Sequence, residues 1–325
     1  MRAVLRKALL GVTSALLLAL LTFGRATPAK AGAARSRLWQ GAGVAARGTT
    51  ALPAPVSFRE SEGRGLLVRT WVNGAGPFNF AIDTGAGATL LSSRAAGEAR
   101  VEVEAGSGGI QIGGLSGASA GGAQKAFVRT LALGSRENTL PARGLFVVAR
   151  GLPEGVDGVL DPSEAFYPLG FTIDIPAGEL SFFDPRTRPL RTSDSPRGGA
   201  VVPWLTEGGT RRPFVMLAEG RRALLDTGSG FGLAVDESAA RTLGILQTEG
   251  RGRGSRDLGG GEVHARRVRA ATVSVGALVL RGVPTDLLVR AEKGAPVILG
   301  RDALRPFRLS FDPVNRLIML DPREG

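Results

Sequence analysis

Two Asp-Thr-Gly tripeptides carry the residues of this sequence that are best suited to chemistry. Asp83-Thr84-Gly85 follows the apolar residues 80–82, and Asp226-Thr227-Gly228 follows the apolar residues 223–225. The tripeptides lie 143 positions apart, and each is followed by a small residue, a glycine and further apolar residues. Chance alone gives Asp-Thr-Gly roughly once in several thousand positions. Two copies in the same hydrophobic setting therefore indicate one structural unit made twice.

The duplication predicts that two carboxyl groups meet. If the two units pack about a pseudo-twofold axis, Asp83 and Asp226 come to one point. Two carboxyl groups in contact do not both ionise easily, so one keeps a proton while the other stays charged. Such a pair supplies a base that activates water and an acid that polarises a carbonyl group. This chemistry needs no metal and no cofactor, and we expect neither here.

The neighbouring residues of each turn have physical roles in such an arrangement. Gly85 and Gly228 allow backbone N–H groups to approach a carboxylate closely, because glycine has no Cβ. Thr84 and Thr227 are placed to hydrogen-bond across to the opposite unit and to lock the two turns together. Ordinary turn capping, for which these residue types are also suited, is the alternative interpretation.

The two turns differ at the residue that follows each glycine. Ser229 offers a hydroxyl group that can hydrogen-bond an oxygen of Asp226, whereas Ala86 offers none to Asp83. We therefore expect the two aspartates to be inequivalent.

The surrounding sequence predicts the strands that present each aspartate. Residues 66–72 have the composition of a strand, Asn73-Gly74 is a strong hairpin signal, and residues 78–82 form the returning strand that ends at Asp83. The second copy has residues 214–217, a turn around Glu219-Gly220, and a return to Asp226. Further matching segments follow each turn. In the first copy they are strands at 131–134, 145–148 and 159–161, a short helix at 162–166 and a strand pair at 171–174 and 180–183. In the second copy the corresponding segments are strands at 273–276, 287–289 and 298–300, a short helix at 301–304 and a strand pair at 309–312 and 317–320.

Repetition at this period predicts two duplicated domains, or lobes, and Gly-rich, Val/Leu-rich sequence with frequent turn signals favours an all-β fold. We place the lobes at residues 61–186 and 200–325. Residues 187–199, which are polar and rich in Pro, Ser and Arg, are the predicted linker.

The N-terminus has the pattern of an export signal. A basic start precedes an uncharged, mostly apolar stretch at residues 8–23, and Ala29-Lys30-Ala31 fits a small-x-small cleavage site. We predict a signal peptide at residues 1–31, a flexible leader at residues 32–60 and a periplasmic or secreted protein. An uncleaved membrane anchor is the alternative, and contact with a membrane is expected only in that case.

Composition argues against several other classes of protein. The chain has no cysteine, which excludes disulfides, and one histidine, His264, which argues against a Ser-His-Asp triad or a histidine-based metal site. The net charge is +12, and loss of residues 1–31 would remove five basic residues and leave +7. The densest basic group, at residues 251–269, contains no aromatic side chain, so we interpret it as a solvated loop and expect no nucleic-acid partner.

Four segments carry a resemblance to a known family. Ile82-Asp83-Thr84-Gly85-Ala86 and Leu225-Asp226-Thr227-Gly228-Ser229 resemble the catalytic turns of pepsin-like and retropepsin-like aspartic proteases. The hairpin at residues 72–78 resembles that of bacterial retropepsin-like members, and residues 298–302 resemble the apolar-apolar-Gly loop that supports a catalytic turn. The resemblance spans residues 64–322. It implies two homologous, β-barrel-like acid-protease lobes related by a pseudo-twofold axis with a cleft between them, Asp83 and Asp226 as the catalytic dyad, and endopeptidase activity on extended peptides. We also expect a monomer whose partner is a peptide or protein substrate.

The sequence also departs from the family pattern. Asp161 stands where a supporting glycine is expected in the first lobe; Asp tolerates a left-handed conformation there and adds a third carboxylate near the site. Tyr167, the single tyrosine, lies after the predicted helix rather than in a flap. The flap candidates are the Gly-rich residues 106–122 and 250–261, although Gly-rich sequence also fits surface loops.

These observations predict an aspartic endopeptidase. Asp161 and the missing flap tyrosine motivate an alternative, a catalytically inactive protein that uses the same cleft to bind peptides or envelope polymers. A protease that processes a single envelope protein is a further alternative.

Overall fold

The computed structural model describes residues 20–22, 52–105, 110–116, 118–245, 250, 252–257, 261–289 and 295–323. Most of the predicted signal peptide and of the predicted leader lies outside these residues, and so do parts of both flap candidates. Strands dominate the described residues, and the helices have four to six residues each.

The first lobe alternates strands with two short helices. Its elements are β1 (Leu20–Thr22), β2 (Val56–Ser61), β3 (Gly65–Val72), β4 (Ala75–Ile82), β5 (Thr89–Ser92), α1 (Ser93–Glu98), β6 (Glu102–Val103), β7 (Ile110–Gly113), β8 (Ser119–Phe127), β9 (Leu131–Leu133), β10 (Thr139–Leu140), β11 (Phe146–Ala149), β12 (Gly158–Leu160), α2 (Pro162–Ala165), β13 (Gly170–Asp174) and β14 (Glu179–Phe183).

The second lobe follows a single 3₁₀ turn at Thr192–Asp194, which lies in the predicted linker. Its elements are β15 (Ala200–Pro203), β16 (Leu205–Glu207), β17 (Thr210–Met216), β18 (Arg222–Asp226), β19 (Leu233–Val235), α3 (Glu237–Thr242), β20 (Gly252–Arg256), β21 (Glu262–Val275), β22 (Leu278–Val289), β23 (Val297–Gly300), α4 (Arg301–Leu304), β24 (Phe307–Asp312) and β25 (Leu317–Pro322).

The two lobes share one topology. In the first lobe neighbouring strands run in the order β2-β3-β4-β12-β5-β11-β8, and in the second they run β16-β17-β18-β23-β19-β22-β21. The pairings are parallel at the same two places, β4–β12 and β5–β11 in one lobe and β18–β23 and β19–β22 in the other. The predicted all-β fold of two homologous lobes is confirmed, and in the second lobe an antiparallel bridge between Leu217 and Val275 links the residue after β17 to the end of β21.

A six-stranded arrangement, β2-β14-β13-β24-β25-β15, joins the lobes. At its centre β13 pairs antiparallel with β24, so that Thr172 faces Ser310 and their hydroxyl oxygens lie 2.9 Å apart. One register position further, the rings of Phe171 and Phe311 stack with centroids 4.7 Å apart. The apolar core therefore runs without interruption from one lobe into the other.

The predicted hairpins are present. β3 and β4 pair across Asn73 and Gly74, whose φ angles of 49° and 79° are those of a tight two-residue hairpin turn. β17 and β18 form the matching hairpin of the second lobe. Both hairpins end at an aspartate, as the repeat predicts.

Two predictions about irregular segments are wrong. The leader was expected to run to residue 60, but Val56–Ser61 is a strand that pairs with both β14 and β3, since its buried Val56 and Phe58 complete the apolar core. The basic group at residues 251–269 was expected to be a loop, yet β20 and β21 pair as a hairpin there.

The short strand β1 lies within the predicted signal peptide and pairs antiparallel with β7. Within the described part of the chain, no helix has the length and apolar character needed to cross a membrane.

Candidate active site

Each aspartate is held at the end of a central strand. The N–H of Asp83 donates to the carbonyl of Leu160 at 2.9 Å, which extends the parallel pairing of β4 with β12. Asp226 is the last residue of β18 and pairs with Gly300 of β23. Both aspartates are fully buried, because each strand end lies where the two lobes meet.

The two Asp-Thr-Gly turns pack face to face. A Cβ atom on Gly85 would lie 2.8 Å from Cγ of Asp226, and one on Gly228 would come closer still to Cγ of Asp83. Each glycine therefore makes room for the aspartate of the opposite lobe. This crossing places the two carboxyl groups in direct contact.

Thr84 and Thr227 tie the turns together. The hydroxyl of Thr84 donates to the carbonyl of Leu225 at 2.6 Å, and the hydroxyl of Thr227 donates to the carbonyl of Ile82 at 3.0 Å. Both bonds run between lobes and are fully buried. The cross-lobe hydrogen bonds expected of the two threonines are therefore present.

Asp83 is the carboxyl group that holds the proton more strongly. Burial raises the pKa of Asp83 well above its usual value, and the negative charges of Asp226 and Asp161 raise the pKa further. The N–H of Gly85 donates to Oδ1 of Asp83 at 2.8 Å and opposes these effects only in part. Oδ2 of Asp83 accepts no hydrogen bond from another described group, which leaves it free to share a proton with the second carboxyl group.

Asp226 is the more acidic partner. Burial raises the pKa of Asp226 to about 6, against the lowering effects of the Ser229 and Gly228 N–H groups, of Asp83 and of the positive charge of Arg301. The N–H of Ser229 donates to Oδ1 of Asp226 at 2.9 Å. The dyad is consequently asymmetric, with Asp83 the weaker acid and Asp226 the stronger one.

The hydroxyl group of Ser229 does not make the hydrogen bond to Asp226 that the sequence predicted. This hydroxyl accepts the N–H of Phe231 at 3.3 Å, and only the backbone N–H of Ser229 bonds to Asp226. Charges beyond the turns contribute to the inequivalence, after burial, the partner carboxyl group and the principal backbone N–H donors. Asp161 raises the pKa of Asp83, and Arg301 lowers the pKa of Asp226.

Asp161 is fully buried at the N-terminus of α2. Its Oδ1 accepts the N–H and the hydroxyl of Ser163, at 2.9 and 2.5 Å, and its Oδ2 has no partner among the described groups. Burial raises the pKa of Asp161 to about 7. Its φ of −87° is extended rather than left-handed, so the conformational reason expected for Asp at this position was wrong.

Gly300, the second-lobe counterpart of Asp161, is required by close contact. Its φ is −97°, and a Cβ atom there would clash with the carbonyl oxygens of Phe231 and Ser229. Sequence reasoning identified this loop but missed the residue that follows it. Arg301 donates from Nη1 to the carbonyls of Thr227 and Gly228 at 2.8 and 2.9 Å.

Glu60 holds Arg301 from the other lobe. Its Oε1 lies 3.3 Å from Nε of Arg301 and 2.7 Å from Nη2 of Arg305. Glu60 belongs to β2, within the segment that the sequence assigned to the flexible leader. The alternation of Val56 and Phe58 was the one signal that could have placed it in a strand.

The two flap candidates meet at their tips. The N–H of Ser116, beyond β7, donates to Oδ2 of Asp257 at 2.8 Å, and Oδ1 of Asp257 accepts the N–H of Gly261 at 3.1 Å. Leu115 is fully buried in an apolar cluster of the second lobe that contains Phe231, five residues after Asp226. The first flap thus crosses to the second lobe beside its catalytic turn, and residues 106–109, 117 and 258–260 lie outside the described residues.

In the described part of the chain, no group of three or more His, Cys, Asp and Glu side chains is arranged to hold a metal ion.

Comparison with known proteins agrees with this geometry. A family model described as aspartyl protease matches residues 68–160 and 219–303, one segment for each Asp-Thr-Gly turn. Together the segments cover more than half of the chain, which therefore belongs to the aspartyl protease family. No curated protein matches the chain.

Proposed function

We propose that this protein is an aspartic endopeptidase in which Asp226 is the general base and Asp83 the general acid. The observation that carries the proposal is the direct contact of two buried carboxyl groups, one from each lobe, with pKa values raised to different extents. Two unpaired acids in contact are costly to bury, and membership of the aspartyl protease family supplies the reason for keeping them.

The reaction follows from the two protonation states. The carboxylate of Asp226 takes a proton from a water molecule, whose oxygen attacks the carbonyl carbon of the scissile peptide bond. The proton of Asp83 passes to the carbonyl oxygen, which gives a neutral tetrahedral intermediate. Asp226 then protonates the leaving nitrogen, the C–N bond breaks, and Asp83 recovers a proton from the intermediate.

Substrate reaches the dyad when the flaps separate. The contact between Ser116 and Asp257 closes the covers, and the hydrogen bond that joins these two residues can break when a substrate binds. An extended peptide fits between the flaps and the catalytic turns. We further propose that the protein acts after export as a monomer, on a peptide or protein substrate and without a cofactor.

One observation favours a second candidate. Both aspartates are fully buried, and a third carboxyl group, Asp161, lies near them, so a cleft that only binds peptides or envelope polymers is the competing function. A protein of this kind would retain binding without any cleavage.

The test compares Asp83→Asn, Asp226→Asn and the control Asp184→Asn. Residues 32–325 of each are purified and incubated with an unfolded protein from about pH 3 to about pH 8, a range that includes the pKa of Asp226, about 6. Asp184 is a suitable control because its hydrogen bonds are to Arg186 and Thr187 at the surface. We expect cleavage by the wild type and by Asp184→Asn, and none by the two dyad variants.

Cleavage that persists in either folded dyad variant rejects the mechanism. If the wild type cleaves nothing but binds peptides with a measurable Kd, the binding protein is the better assignment. Thermal unfolding of all four proteins shows whether a loss of cleavage reflects a loss of structure.

A further inference from the structure

Arg212, in β17, is a buried cation without an ion-pair partner among the described residues. Arg212 is only 9% exposed, and its Nη1 has no hydrogen-bond partner in the described structure. Its one side-chain hydrogen bond runs from Nε to the hydroxyl of Thr210 at 3.2 Å. A buried guanidinium normally has its donors satisfied, so the free Nη1 needs an explanation.

The position of Arg212 points to the substrate cleft. Its Cδ would lie 3.5 Å from a Cβ atom on Gly87, which follows Asp83 by four residues in the opposite lobe. The stem of Arg212 therefore crosses the lobe boundary and rests on the first catalytic turn. The ring of Phe214 lies 5.6 Å from its Cζ and supports the guanidinium from the second lobe.

The nearby carboxyl groups act on Arg212 without bonding to it. Burial lowers the pKa of Arg212, whereas the charges of Glu207, Asp161, Asp226 and Asp83 raise it. None of these carboxylates accepts a hydrogen bond from Arg212 in the described structure, where its Nη1 remains unpartnered. The guanidinium stays charged and keeps a free donor within electrostatic reach of the dyad.

The preceding residue shows the more usual arrangement. Arg211 forms an ion pair with Glu164 at 2.5 Å, and its Cζ stacks 4.0 Å above the ring of Tyr167. Arg211 thus joins the two lobes with its charge neutralised. Arg212 points to the other face of the same strand and has no such carboxylate.

We propose that Arg212 binds a carboxylate of the substrate and gives the enzyme a preference for an acidic group at the subsite bordered by Gly87 and Phe214. The inference rests on the proposed endopeptidase function and names a substrate class for it. A carboxylate matches the planar donors of a guanidinium in charge and in shape, and hydrogen bonds between charged groups are the strongest of their kind. The carboxylate comes from an Asp or Glu side chain or from the free C-terminus of the peptide.

The experiment first maps where the wild type cleaves a peptide library, and then uses matched peptides that differ by Glu or Gln at the selected position. Each peptide is made with a free and with an amidated C-terminus. We expect kcat/KM to be about tenfold higher for Glu than for Gln, which is what one charged hydrogen bond supplies. If kcat/KM is instead higher for the peptides with a free C-terminus than for the amidated ones, the subsite binds the terminal carboxylate.

Arg212→Met and Arg222→Met are the matched variants. Arg222 also lies against the ring of Phe214, at 5.5 Å, but it is exposed and donates to the carbonyl of Thr206. Arg212→Met should lose the preference for Glu, so that the ratio of kcat/KM for the Glu and Gln peptides falls to about one, and Arg222→Met should keep the wild-type ratio. Arg212→Lys, which retains the charge, should keep part of the preference.

A wild-type enzyme that cleaves peptides without preferring either carboxylate overturns the inference and leaves the proposed function standing. A preference that survives in Arg212→Met overturns it as well. If no peptide is cleaved, the proposed function fails, and binding of the uncleaved Glu and Gln peptides by Asp226→Asn still decides the role of Arg212. Equal affinities for those two peptides would then reject it. If Arg212→Met does not fold, the preference for Glu over Gln is compared between Arg212→Lys and the wild type instead.

Discussion

Thr84 and Thr227 hold each other by a reciprocal pair of hydrogen bonds. The N–H of Thr227 donates to Oγ1 of Thr84 at 3.1 Å, and the N–H of Thr84 donates to Oγ1 of Thr227 at 3.2 Å. Each hydroxyl therefore accepts from the opposite turn and also donates to a carbonyl of the opposite lobe. This exchange fixes the two turns relative to each other, and with them the two carboxyl groups.

Replacing Thr84 by Val should weaken the contact between lobes. The change keeps the shape but leaves the N–H of Thr227 and the carbonyl of Leu225 buried without partners, at a cost of about 2–5 kcal/mol. Urea unfolding should show this loss, and peptide cleavage should fall because the dyad loses its alignment. Thr84→Ser keeps the hydroxyl and is the control. Equal unfolding free energies for the Val and Ser variants would contradict this role.

The pH dependence of cleavage should have its acid limb near the pKa of Asp226, about 6. Below that pH the general base is protonated, so the rate falls as the pH decreases. The alkaline limb reports the loss of the proton from Asp83, whose pKa is raised further by burial and by neighbouring negative charge. Measurements of kcat/KM against pH check this expectation. A maximum rate at about pH 3 would refute the assignment of base and acid.

Asp161→Asn should move the alkaline limb to lower pH. The negative charge of Asp161 raises the pKa of Asp83, so its removal stabilises the ionised form of Asp83 and lowers that pKa. The acid limb, set by Asp226, should move less. Asp184→Asn, at the surface, should leave both limbs in place. An unchanged alkaline limb in Asp161→Asn would show that Asp161 does not act on the dyad.

The same substitution should also change stability in a pH-dependent way. The pKa of Asp161 is about 7 in the folded protein and about 3.9 in an unfolded chain. The folded state therefore binds a proton that the unfolded state releases, and stability falls as the pH rises from about 4 to about 7. Asn does not ionise, so Asp161→Asn should be the more stable protein above pH 7, by up to about 4 kcal/mol. The gain should vanish near pH 4 in thermal unfolding.

Gly228→Ala should abolish cleavage. The added Cβ would overlap the carboxyl group of Asp83, which is held by the N–H of Gly85 and has no room to withdraw. We expect a loss of at least about a hundredfold in kcat/KM, as for other small displacements of a catalytic group. Gly97→Ala in α1 is the control, since nothing lies within 4 Å of its Cβ position and alanine favours helix. Normal cleavage by Gly228→Ala would mean that the contact with Asp83 does not position the carboxyl group.

Asp257→Ala should loosen the closed flaps. It removes the acceptor of both Ser116 and Gly261, so the covers should hold a bound peptide less well. We expect KM to rise about fivefold or more with a smaller change in kcat. Glu262→Ala, in the same hairpin but with an exposed carboxylate, should leave KM unchanged. Equal KM values for the two variants would indicate that the flap contact has no part in substrate binding.

Much of the fold was predictable because it repeats. The strand composition of residues 66–72, the hairpin signal Asn73-Gly74 and the second copy at a similar offset predicted the strands that end at Asp83 and Asp226. Local patterns of this kind depend on side-chain spacing along one strand, which the sequence displays directly. They failed at Val56–Ser61, because a strand at the edge of the joining sheet has too short an alternation to stand out.

The electrostatic interactions around the dyad were harder to predict from the sequence than the strands were. Asp161 was noticed as a departure, but its effect on Asp83 depends on burial and on the unpaired Oδ2, and neither can be read from residue order. Arg301 and Glu60 are 241 positions apart and come together only because α4 packs beside β2. Arg212 gave no signal at all among 37 arginines, since being buried without an ion-pair partner is a property of three-dimensional surroundings.

The sequence by itself determined that this chain has two copies of one unit and that each copy ends a strand in Asp-Thr-Gly. Repetition and strand periodicity depend on the order of residues along the chain, so they can be recognised from the sequence. Only the tertiary structure decided that Asp83 holds the proton, that Ser116 meets Asp257, and that Arg212 lies unpaired beside the first turn. Burial and Coulomb interactions depend on distance in space, and residues far apart in the chain set them.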